Sequence, residues 1–545
     1  MKLRILLAMA LFAAMMAAVV YFASPYAPVV APAPEDIEAL WEIEDAREES
    51  DVPLVTVLEN HGVPLAYDVQ QNRFYCTLGL ENGESWPQLH LTAPQAEDIS
   101  LVFVDDYSYD WCIDAIRDGY AYQVMAYNDT HFSYFEIVFT GLPQMQIETS
   151  GQELSTEDSP IHVVMSAYDE EPLDVTARIH LRGASTLLFD KQSYKVEFTR
   201  ERDGAAKKIA LNVPGFGFGD DVALLPCWHD QIKMRDKLNW DLWAELAADD
   251  EPFGARRTQY VELFLDGVYW GVYVMIEPVD VGEELALAGE SRLLSDSVYR
   301  TAALNFSRDR AYEKHPYREN AGYELYYAPD GAPPFAGLED YLDLVTEEDD
   351  EVFEEKALAR LDVDNALRHL LFVQGCGLAD NVFNNMYIWA HPGEADMTYR
   401  FSLWDMDLAW GFERESIGEQ YENWMFFPVM DRLLNLNRDV RQKAYDMWQE
   451  MRGMIFAEER LEERIAQYTF ELGESGALMR EAERWGTEMY YPDGYELIDF
   501  AAIRWPMIDE AMELLIADAD APVDFLTQTN YDNKGGPIGP QWEYE

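Results

Sequence analysis

The sequence predicts an α+β fold, with strands concentrated in the first half of the chain and helices in the last third. Short runs of aromatic and β-branched residues, broken by Gly, Asn and Pro, recur from residue 52 to about residue 276, a pattern typical of strands. Asp266-Gly267 separates two such runs, and this dipeptide is a strong short-range signal of a hairpin. Beyond residue 426 the apolar residues recur with helical period. Strands and helices that are segregated in this way indicate α+β rather than alternating α/β architecture.

Length and charge limit the classes of protein that fit. A chain of 545 residues exceeds the size at which one core stops growing, so we expect more than one domain. Lys and Arg total 40 against 102 Asp and Glu, a formal net charge of −62, and such a chain repels nucleic-acid phosphates. We therefore expect no nucleic-acid partner. The acids are scattered along the chain, which favours a solvated surface as their role.

The N-terminus is typical of an exported protein. Lys2 and Arg4 precede an uncharged apolar run at residues 5–23, which is longer than the ~7–15 residues of a cleavable signal core and close to the ~20 that span a bilayer. Residues 1–23 are therefore a signal peptide or a membrane anchor, and the lack of a clear small-residue cleavage site favours an anchor. We expect the rest of the chain to lie outside the cytoplasm, either membrane-anchored or at the cell surface.

The composition divides the remaining chain into four parts. Residues 24–51 combine prolines with an acidic run and predict a linker. Residues 52–152 predict a small β-rich accessory domain, and residues 161–520 a longer domain. Residues 521–545, rich in Gly and Pro, predict a flexible tail.

The longer domain begins with strands and a tight turn at Arg182-Gly183-Ala184-Ser185. The strand that follows places Tyr194, Val196 and Phe198 at alternate positions, so we expect them to share one face. Lys191 precedes this strand and Lys195 lies within it.

A helix and a hairpin follow. Asp230 has the residue type of an N-cap, and leucines four residues apart predict a helix that runs to about residue 247. Glu277 ends the second strand of the Asp266-Gly267 hairpin, and residues 358–372 predict a further helix.

Small acids and amides then cluster at the spacing of metal ligands. Asp380 and Asn385 follow one apolar run, and Asp405 and Asp407 interrupt the next. An unpaired carboxylate in apolar surroundings costs several kcal/mol, so a divalent cation is the simplest partner. On a strand Asp405 and Asp407 would face the same side and could share a cation. The separation of Asp380 from Asn385 equals that of the catalytic Asp and the metal-binding Asn of protein kinases.

Taken together, the motifs closely resemble the spore-coat protein H (CotH) family of atypical protein kinases. The resemblance runs from about residue 161 to residue 516, through RGAS, KQSYKVEF, the Asp-x-x-x-x-Arg-Asp-x-Leu pattern that begins at Asp230, LDGVYWGVYVMIE, ADNVFNNMYIW and WDMDLAWGF. It implies a two-lobed kinase-like catalytic domain with a β-rich N-lobe and a helical C-lobe, and ATP with Mg²⁺ or Mn²⁺ as cofactors. It also implies phosphorylation of protein hydroxyls.

The resemblance also implies roles for individual residues. The ATP phosphates would bind at Arg182, Gly183, Ser185 and Lys191, and the adenine near Glu277. The metal would bind at Asn385 and Asp405, with Asp407 as a second-rank ligand. Asp380 would be the catalytic acid. The turn departs from the family's more usual Arg-Gly-Asn-Ser-Ser, since it reads Arg-Gly-Ala-Ser-Thr here. Lys195 is the alternative phosphate lysine, and Glu245 is the acid that we expect to pair with the lysine.

Three functions fit these observations. The leading one is a kinase that phosphorylates Ser or Thr on surface or coat proteins. A non-catalytic structural or adhesive surface protein with the same fold is the first alternative, because ATP is scarce outside cells. A metal-dependent nucleotidyl or glycosyl transferase is the second, because the same acids would serve it. The absence of a Gly-x-Ser-x-Gly motif disfavours a serine hydrolase.

Overall fold

A computed structural model gives the structure of the chain. It describes residues 29–34, 37–80, 89–96, 98–104, 112–183, 185–202, 205–247, 256–278, 296–302, 323–347, 349–378, 381, 384–393, 396–413, 416–417, 424–425 and 427–517. The chain forms two compact units, and each is described by itself. The first takes its residues from Met1–Pro226, Gln259–Met275 and Phe470–Tyr491, and the second from Cys227–Thr258, Ile276–Thr469 and Pro492–Glu545. The mixture of sheets and helices is the α+β class that the sequence predicts.

The first unit begins with a seven-stranded sheet. Its strands are Val30–Ala31, Glu48–Glu49, Ala66–Asp68, Arg73–Thr77, Ser100–Phe103, Ala121–Tyr127 and His131–Thr140. Beside it lie a small sheet of Glu59–Asn60, Val63–Pro64 and Leu91–Thr92, and the helices Glu38–Asp45 and Cys112–Arg117. Ala115 and Ile116 of the second helix belong to the core over the seven-stranded sheet.

A second sheet in the same unit closes on itself. Its strands are Gln144–Glu148, Ser159–Ser166, Leu173–Arg182, Ser193–Arg202, Ala205–Lys208, Asp221–Leu225, Thr258–Leu265 and Val268–Ile276. Leu173–Arg182 pairs with both Ser159–Ser166 and Ser193–Arg202, so seven of the strands form a closed ring, and Ala205–Lys208 is added outside it on Ser193–Arg202. Closure removes the exposed edges of the strands within that ring. The predicted alternation is confirmed, because Tyr194, Val196 and Phe198 are all buried inside.

The predicted hairpin is also present. Thr258–Leu265 and Val268–Ile276 are joined by Asp266 and Gly267, whose φ angles are 48° and 71°. Positive φ at both positions is the geometry of the tight hairpin turn for which Asp-Gly is favoured. A separate short hairpin pairs Leu211–Val213 with Gly217–Gly219. The unit is completed by the helix Ala477–Trp485.

The second unit is mainly helical, as the periodicity predicts. Its helices are Arg235–Leu246, Ala336–Val345, Asp350–Arg360, Val363–Cys376, Pro428–Leu436, Arg438–Gly453, Tyr495–Ala517 and Glu458–Glu474, the last of which enters the first unit at Phe470. A four-stranded sheet has the order Tyr323–Tyr327, Ser297–Ala302, Asn384–Pro392, Met397–Leu403, and a short hairpin pairs Phe412–Glu413 with Ser416–Ile417.

Two helix boundaries differ from the prediction. The single helix expected at residues 358–372 is two helices, because Asp362 is extended and its carboxylate accepts the amide N–H of Asn365 at 3.1 Å, as an N-cap does. The helix expected to start after Asp230 begins at Arg235 with Met234 as its cap residue. Asp230 still serves this end of the helix, since its Oδ2 accepts the Arg235 amide N–H at 2.8 Å.

Several predicted segments lie outside the described residues. They are the apolar run at residues 5–23, the tail at 521–545, and Asp380. Among the helices that the structure does describe, none combines the length and the apolar character needed to cross a membrane.

Candidate functional site

Lys191 is buried in the first unit, immediately before the strand Ser193–Arg202. Its Nζ donates to Oε1 and Oε2 of Glu481 at 2.7 and 2.9 Å, and to the carbonyl oxygens of Pro226 and Val272 at 3.0 and 2.5 Å. An ammonium group taken out of water is costly unless it is paired and fully hydrogen-bonded. The Glu481 carboxylate and the two carbonyl groups meet this requirement.

Glu481 comes from the helix Ala477–Trp485 and is itself held in place. Its Oε2 also accepts the amide N–H of Val272 at 2.7 Å. Gly271 makes room for it, because a Cβ atom there would lie 2.3 Å from Oε2, and the φ of +111° at Gly271 also disfavours a side chain. The pair is therefore built jointly by a helix and a strand of the same unit.

A second buried pair fixes that helix. Arg480 donates through Nε to Glu262 Oε1 at 2.9 Å, and the hydroxyl of Tyr269 donates to the same oxygen at 2.8 Å. Burial lowers the pKa of Arg480, but Glu262 and the neighbouring tyrosines more than offset it, so the net pKa lies above the usual value and the guanidinium stays charged. Two adjacent helix residues thus bind two neighbouring strands of the closed sheet.

The expected acid partner of the lysine is wrong. Glu245 binds Arg460 at 3.2 Å and also Arg464, all within the second unit. Sequence reasoning missed Glu481 because 290 residues separate it from Lys191. Its helix carries no local signal that distinguishes Glu481 from the exposed Glu483.

The glycine turn lies at the same end of the strand pair as Lys191, since Arg182 is paired with Ser193. Gly183 has a φ of +94°, and a Cβ there would lie 2.0 Å from Thr186 Oγ1, which donates to the Arg182 carbonyl at 3.0 Å. Ser185 begins a 3₁₀ turn, Ser185–Leu188, and its side chain is outside the described part. The turn therefore requires glycine at position 183.

Lys195, the alternative phosphate lysine, binds Asp221 at 3.0 Å and is only partly buried. Burial raises the pKa of Asp221, although Lys195 and Lys208 favour its charged form. Glu277 lies in the second unit just past the hairpin, where its carboxylate pairs with Arg257 at 2.9 Å.

Asn385 and Asp405 lie together at one end of a hairpin in the second unit. Met386 is paired with Leu403, and the amide N–H of Trp404 donates to the Asn385 carbonyl at 3.0 Å. Asn385 and Asp405 both have left-handed backbone conformations, with φ of 54° and 55°. Such conformations cost about 1–3 kcal/mol, and they concentrate at functional sites.

Asp405 also has a half-buried carboxylate for which the described part of the chain supplies no hydrogen bond or ion pair. The expectation that Asp405 and Asp407 project from a strand is wrong, because the strand ends at Leu403 and the left-handed Asp405 interrupts the extended backbone. Asp407 follows in the same loop and is half-buried.

The helix Arg235–Leu246 holds this loop in place. Asp236 accepts the amide N–H of Met406 at 3.1 Å, and Asn239 donates to the Met406 carbonyl at 2.7 Å. The backbone N–H and carbonyl of Met406, the residue between the two aspartates, are thereby both bound to one helix. The Met406 side chain is buried. The sequence pattern contained Asp236 but gave no indication of this role.

The side-chain types of Asn385, Asp405 and Asp407 are those that a divalent cation takes together with phosphate oxygens. Carboxylate and amide oxygens are the hard ligands that Mg²⁺ takes, and Mg²⁺ is commonly held by one or two carboxylates together with substrate phosphates and water. The observation that supports this fit is the Asp405 carboxylate, to which the described residues supply no hydrogen bond or ion pair. Within the described ranges no group of three or more His, Cys, Asp or Glu residues is placed to hold a metal ion.

The structure therefore places the predicted residues as two sets. Arg182, Gly183 and Lys191 belong to the first unit, and Glu277, Asn385, Asp405 and Asp407 to the second.

The comparisons with known proteins agree in part with the expectation from sequence. A family model described as CotH kinase protein matches residues 179–504, which is more than half of the chain. No curated protein matches the chain.

Proposed function

The chain belongs to the CotH kinase family, and on that premise we propose that it is an exported kinase that transfers the γ-phosphoryl group of ATP to Ser or Thr hydroxyls of surface or coat proteins. The proposal includes Mg²⁺ or Mn²⁺ as cofactor and a two-lobed kinase-like arrangement of β-rich and helical parts. The observation that carries it is Asp405, a half-buried carboxylate without a protein partner among the described residues, on a left-handed backbone beside Asn385.

In this proposal the metal ligands and the proton acceptor are the residues that the family resemblance implies. Asn385 and Asp405 bind the cation, Asp407 supports them, and Asp380 orients the acceptor hydroxyl and accepts its proton. The bound cation supplies neutralisation of the phosphate charge. Asp236 and Asn239 keep the loop that carries Asp405 in one geometry, which lowers the cost of assembling the site.

The proposal takes Lys191 as the cationic side chain that binds the phosphates. In protein kinases an ion pair between a strand lysine and a helix glutamate must be in place for activity, and Lys191, just before a strand, pairs with Glu481 of a helix. For a phosphate oxygen to bind Lys191, it would replace one of the two carbonyl acceptors. Gly183 and its turn would supply backbone amides to the phosphates, with Arg182 and Ser185 beside them, and Glu277 would lie near the adenine.

One observation favours the non-catalytic surface protein as a second candidate. The Lys191 side chain has no exposed surface, and four acceptor atoms of the chain already surround its ammonium group. A non-catalytic protein that keeps the Lys191–Glu481 ion pair for stability alone would have the same arrangement of residues in the first unit.

A labelling experiment distinguishes these functions. The full-length protein in detergent is incubated with Mn²⁺ or Mg²⁺, with casein as acceptor, and with ATP labelled at either the γ- or the α-phosphate. Asp405→Ala is the test variant, and Asp396→Ala, an exposed aspartate at the turn of the same hairpin, is the matched control. We expect γ-label on protein Ser or Thr in wild type and in Asp396→Ala, and its loss in Asp405→Ala.

The other outcomes identify the alternatives. Incorporation of α-label indicates a nucleotidyl transferase, and transfer of label from a nucleotide sugar indicates a glycosyl transferase. If wild type transfers no label and calorimetry detects no ATP binding, the enzyme proposal is wrong and the surface protein takes its place.

A further inference from the structure

Asn381 connects the backbone of Asn385 with that of the loop that carries Asp405. It is fully buried in the second unit, and its Nδ2 donates to the Trp404 carbonyl at 2.6 Å and lies 3.5 Å from the Asn385 carbonyl. Because carbonyl oxygens only accept hydrogen bonds, the amide NH₂ must be the group that faces them. The Oδ1 atom is therefore directed away, and the described residues provide it with no hydrogen-bond partner.

The Asn381 backbone is held in turn by a buried histidine. His369, on the helix Val363–Cys376, has no exposed surface, and its Nε2 lies 3.2 Å from the Asn381 carbonyl. This nitrogen carries the proton, since the carbonyl can only accept. The His369 ring also lies 6.1 Å from Phe401 and 5.4 Å from Phe427, between ring centroids. The helix thus holds Asn381 through a side chain that is itself packed among aromatic rings.

We infer that Asn381 is a positioning residue that keeps Asn385 and Asp405 at the separation required to share one divalent cation. The inference rests on the proposed function, because it concerns the same metal site. Trp404, the residue before Asp405, has both of its backbone polar groups bound at this point: its N–H to Asn385 and its carbonyl to Asn381. Two neighbouring left-handed residues persist only where surrounding contacts fix them, and Asn381 supplies such contacts.

The loop has a second attachment that does not involve Asn381. The backbone N–H of Met406 is bound by Asp236, and its backbone carbonyl by Asn239. Loss of the Asn381 amide therefore leaves the loop attached after Asp405, whereas before Asp405 only the Trp404 N–H remains bound, to the Asn385 carbonyl. We expect weaker metal binding rather than loss of the fold.

The test compares Asn381→Leu with Asn365→Leu in the full-length protein. Asn365 is an equally suitable buried asparagine, because its amide binds the Phe401 N–H at 2.7 Å and the Phe401 carbonyl at 3.1 Å, on the same hairpin strand but away from Asp405. Binding of Mn²⁺ in the presence of a non-hydrolysable ATP analogue is measured by electron paramagnetic resonance, with Tm recorded in parallel. Loss of an outer-shell partner weakens metal binding by about 10- to 100-fold, and we expect this for Asn381→Leu alone, with similar falls in Tm for both variants.

A second variant keeps the inference testable if Asn381→Leu does not fold. His369→Phe preserves a ring beside Phe401 and Phe427 but removes the N–H that holds Asn381, so Mn²⁺ binding should weaken in the same direction by a smaller factor. The inference is overturned if Asn381→Leu, or in its place His369→Phe, binds Mn²⁺ like wild type, or if Asn365→Leu weakens binding equally.

The outcome for the proposed function is read separately. If wild type transfers γ-label while Asn381→Leu binds Mn²⁺ normally, only the positioning role fails. If wild type binds Mn²⁺ in an Asn381-dependent way but transfers no label, the positioning role stands and the kinase proposal fails. If wild type binds no Mn²⁺ with the nucleotide analogue, both are wrong.

Discussion

The carboxylate of Glu481 lies 2.7 Å from the ammonium of Lys191, although 290 residues separate the two in the chain. Both side chains are buried, and both contact the strand Val268–Ile276 at Val272. Breaking a buried ion pair on one side leaves an uncompensated charge in the interior, which is far more costly than the loss of a surface pair. The first two predictions follow from this relationship.

Replacing Glu481 with Gln should destabilise the protein by about 3–5 kcal/mol, because Lys191 would remain charged and buried without its carboxylate. The measurement is urea unfolding followed by tryptophan fluorescence. Glu483→Gln is the matched control, since Glu483 lies on the same helix but is exposed, and it should change stability by less than about 0.5 kcal/mol. If Glu481→Gln and Glu483→Gln were equally stable, the Lys191–Glu481 ion pair would contribute little to stability.

Lys191→Met should abolish γ-label transfer, whereas Lys195→Met should retain most of it. The sharper measurement is the double variant Lys191→Met with Glu481→Leu. An apolar pair of similar volume can match the stability of a buried ion pair, so the double variant should regain much of the stability that Lys191→Met loses, but no transfer. Recovery of transfer together with stability would assign Lys191 a purely structural role.

Asp405→Asn should lower metal-dependent transfer by about 100-fold or more, the size of effect seen when one group that stabilises transition-state charge is removed. The free energy of unfolding should not fall, because Asn tolerates left-handed φ as well as Asp does and no protein contact of the Asp405 side chain is lost among the described residues. Kinetics at several Mn²⁺ concentrations and a parallel urea titration check both parts. A loss of stability without a change in metal dependence would contradict the assignment.

Stability should fall as the pH decreases from 6.5 towards 4 because of His369. Burial lowers the pKa of His369 to about 4 from its usual 6.5. The unfolded chain therefore binds a proton at a pH where the folded chain does not, and protonation favours unfolding between these two values. A shift of this size corresponds to roughly 3 kcal/mol across the interval.

His369→Phe removes this titration and retains an aromatic ring. Urea unfolding of both proteins at pH 4.5, 5.5, 6.5 and 7.5 should therefore give a shallower pH dependence for the variant. If the free energy of unfolding changed with pH equally in both proteins, His369 would not contribute to the pH dependence of stability.

Local rules in the sequence predicted much of the fold. The alternation of Tyr194, Val196 and Phe198 and the Asp266-Gly267 hairpin depend on residues adjacent in the chain, and the structure confirms both. The break before Val363 was missed because a continuous apolar period hid an N-cap at Asp362. In that case a single capping carboxylate outweighed helical periodicity.

The candidate site was only partly predictable. Residue type and spacing indicated Asn385 and Asp405, whose placement at one end of a hairpin brings them together. Glu481, Asn381 and Asn239 were not identified, because their roles depend on contacts between distant segments. The left-handed backbone at Asp405 was also missed, since the acid-x-acid pattern is equally compatible with an extended strand.

The closed sheet of the first unit has a consequence for the order of folding. Its strands end at Ile276, but the helix that supplies Glu481 and Arg480 begins only at Ala477. A chain emerging from its N-terminus places Lys191 in the sheet well before its carboxylate partner has been synthesised. The first unit therefore reaches its final ion pairing only after most of the second unit has emerged, and a chain truncated before residue 477 should yield a first unit with Lys191 and Glu262 lacking these partners.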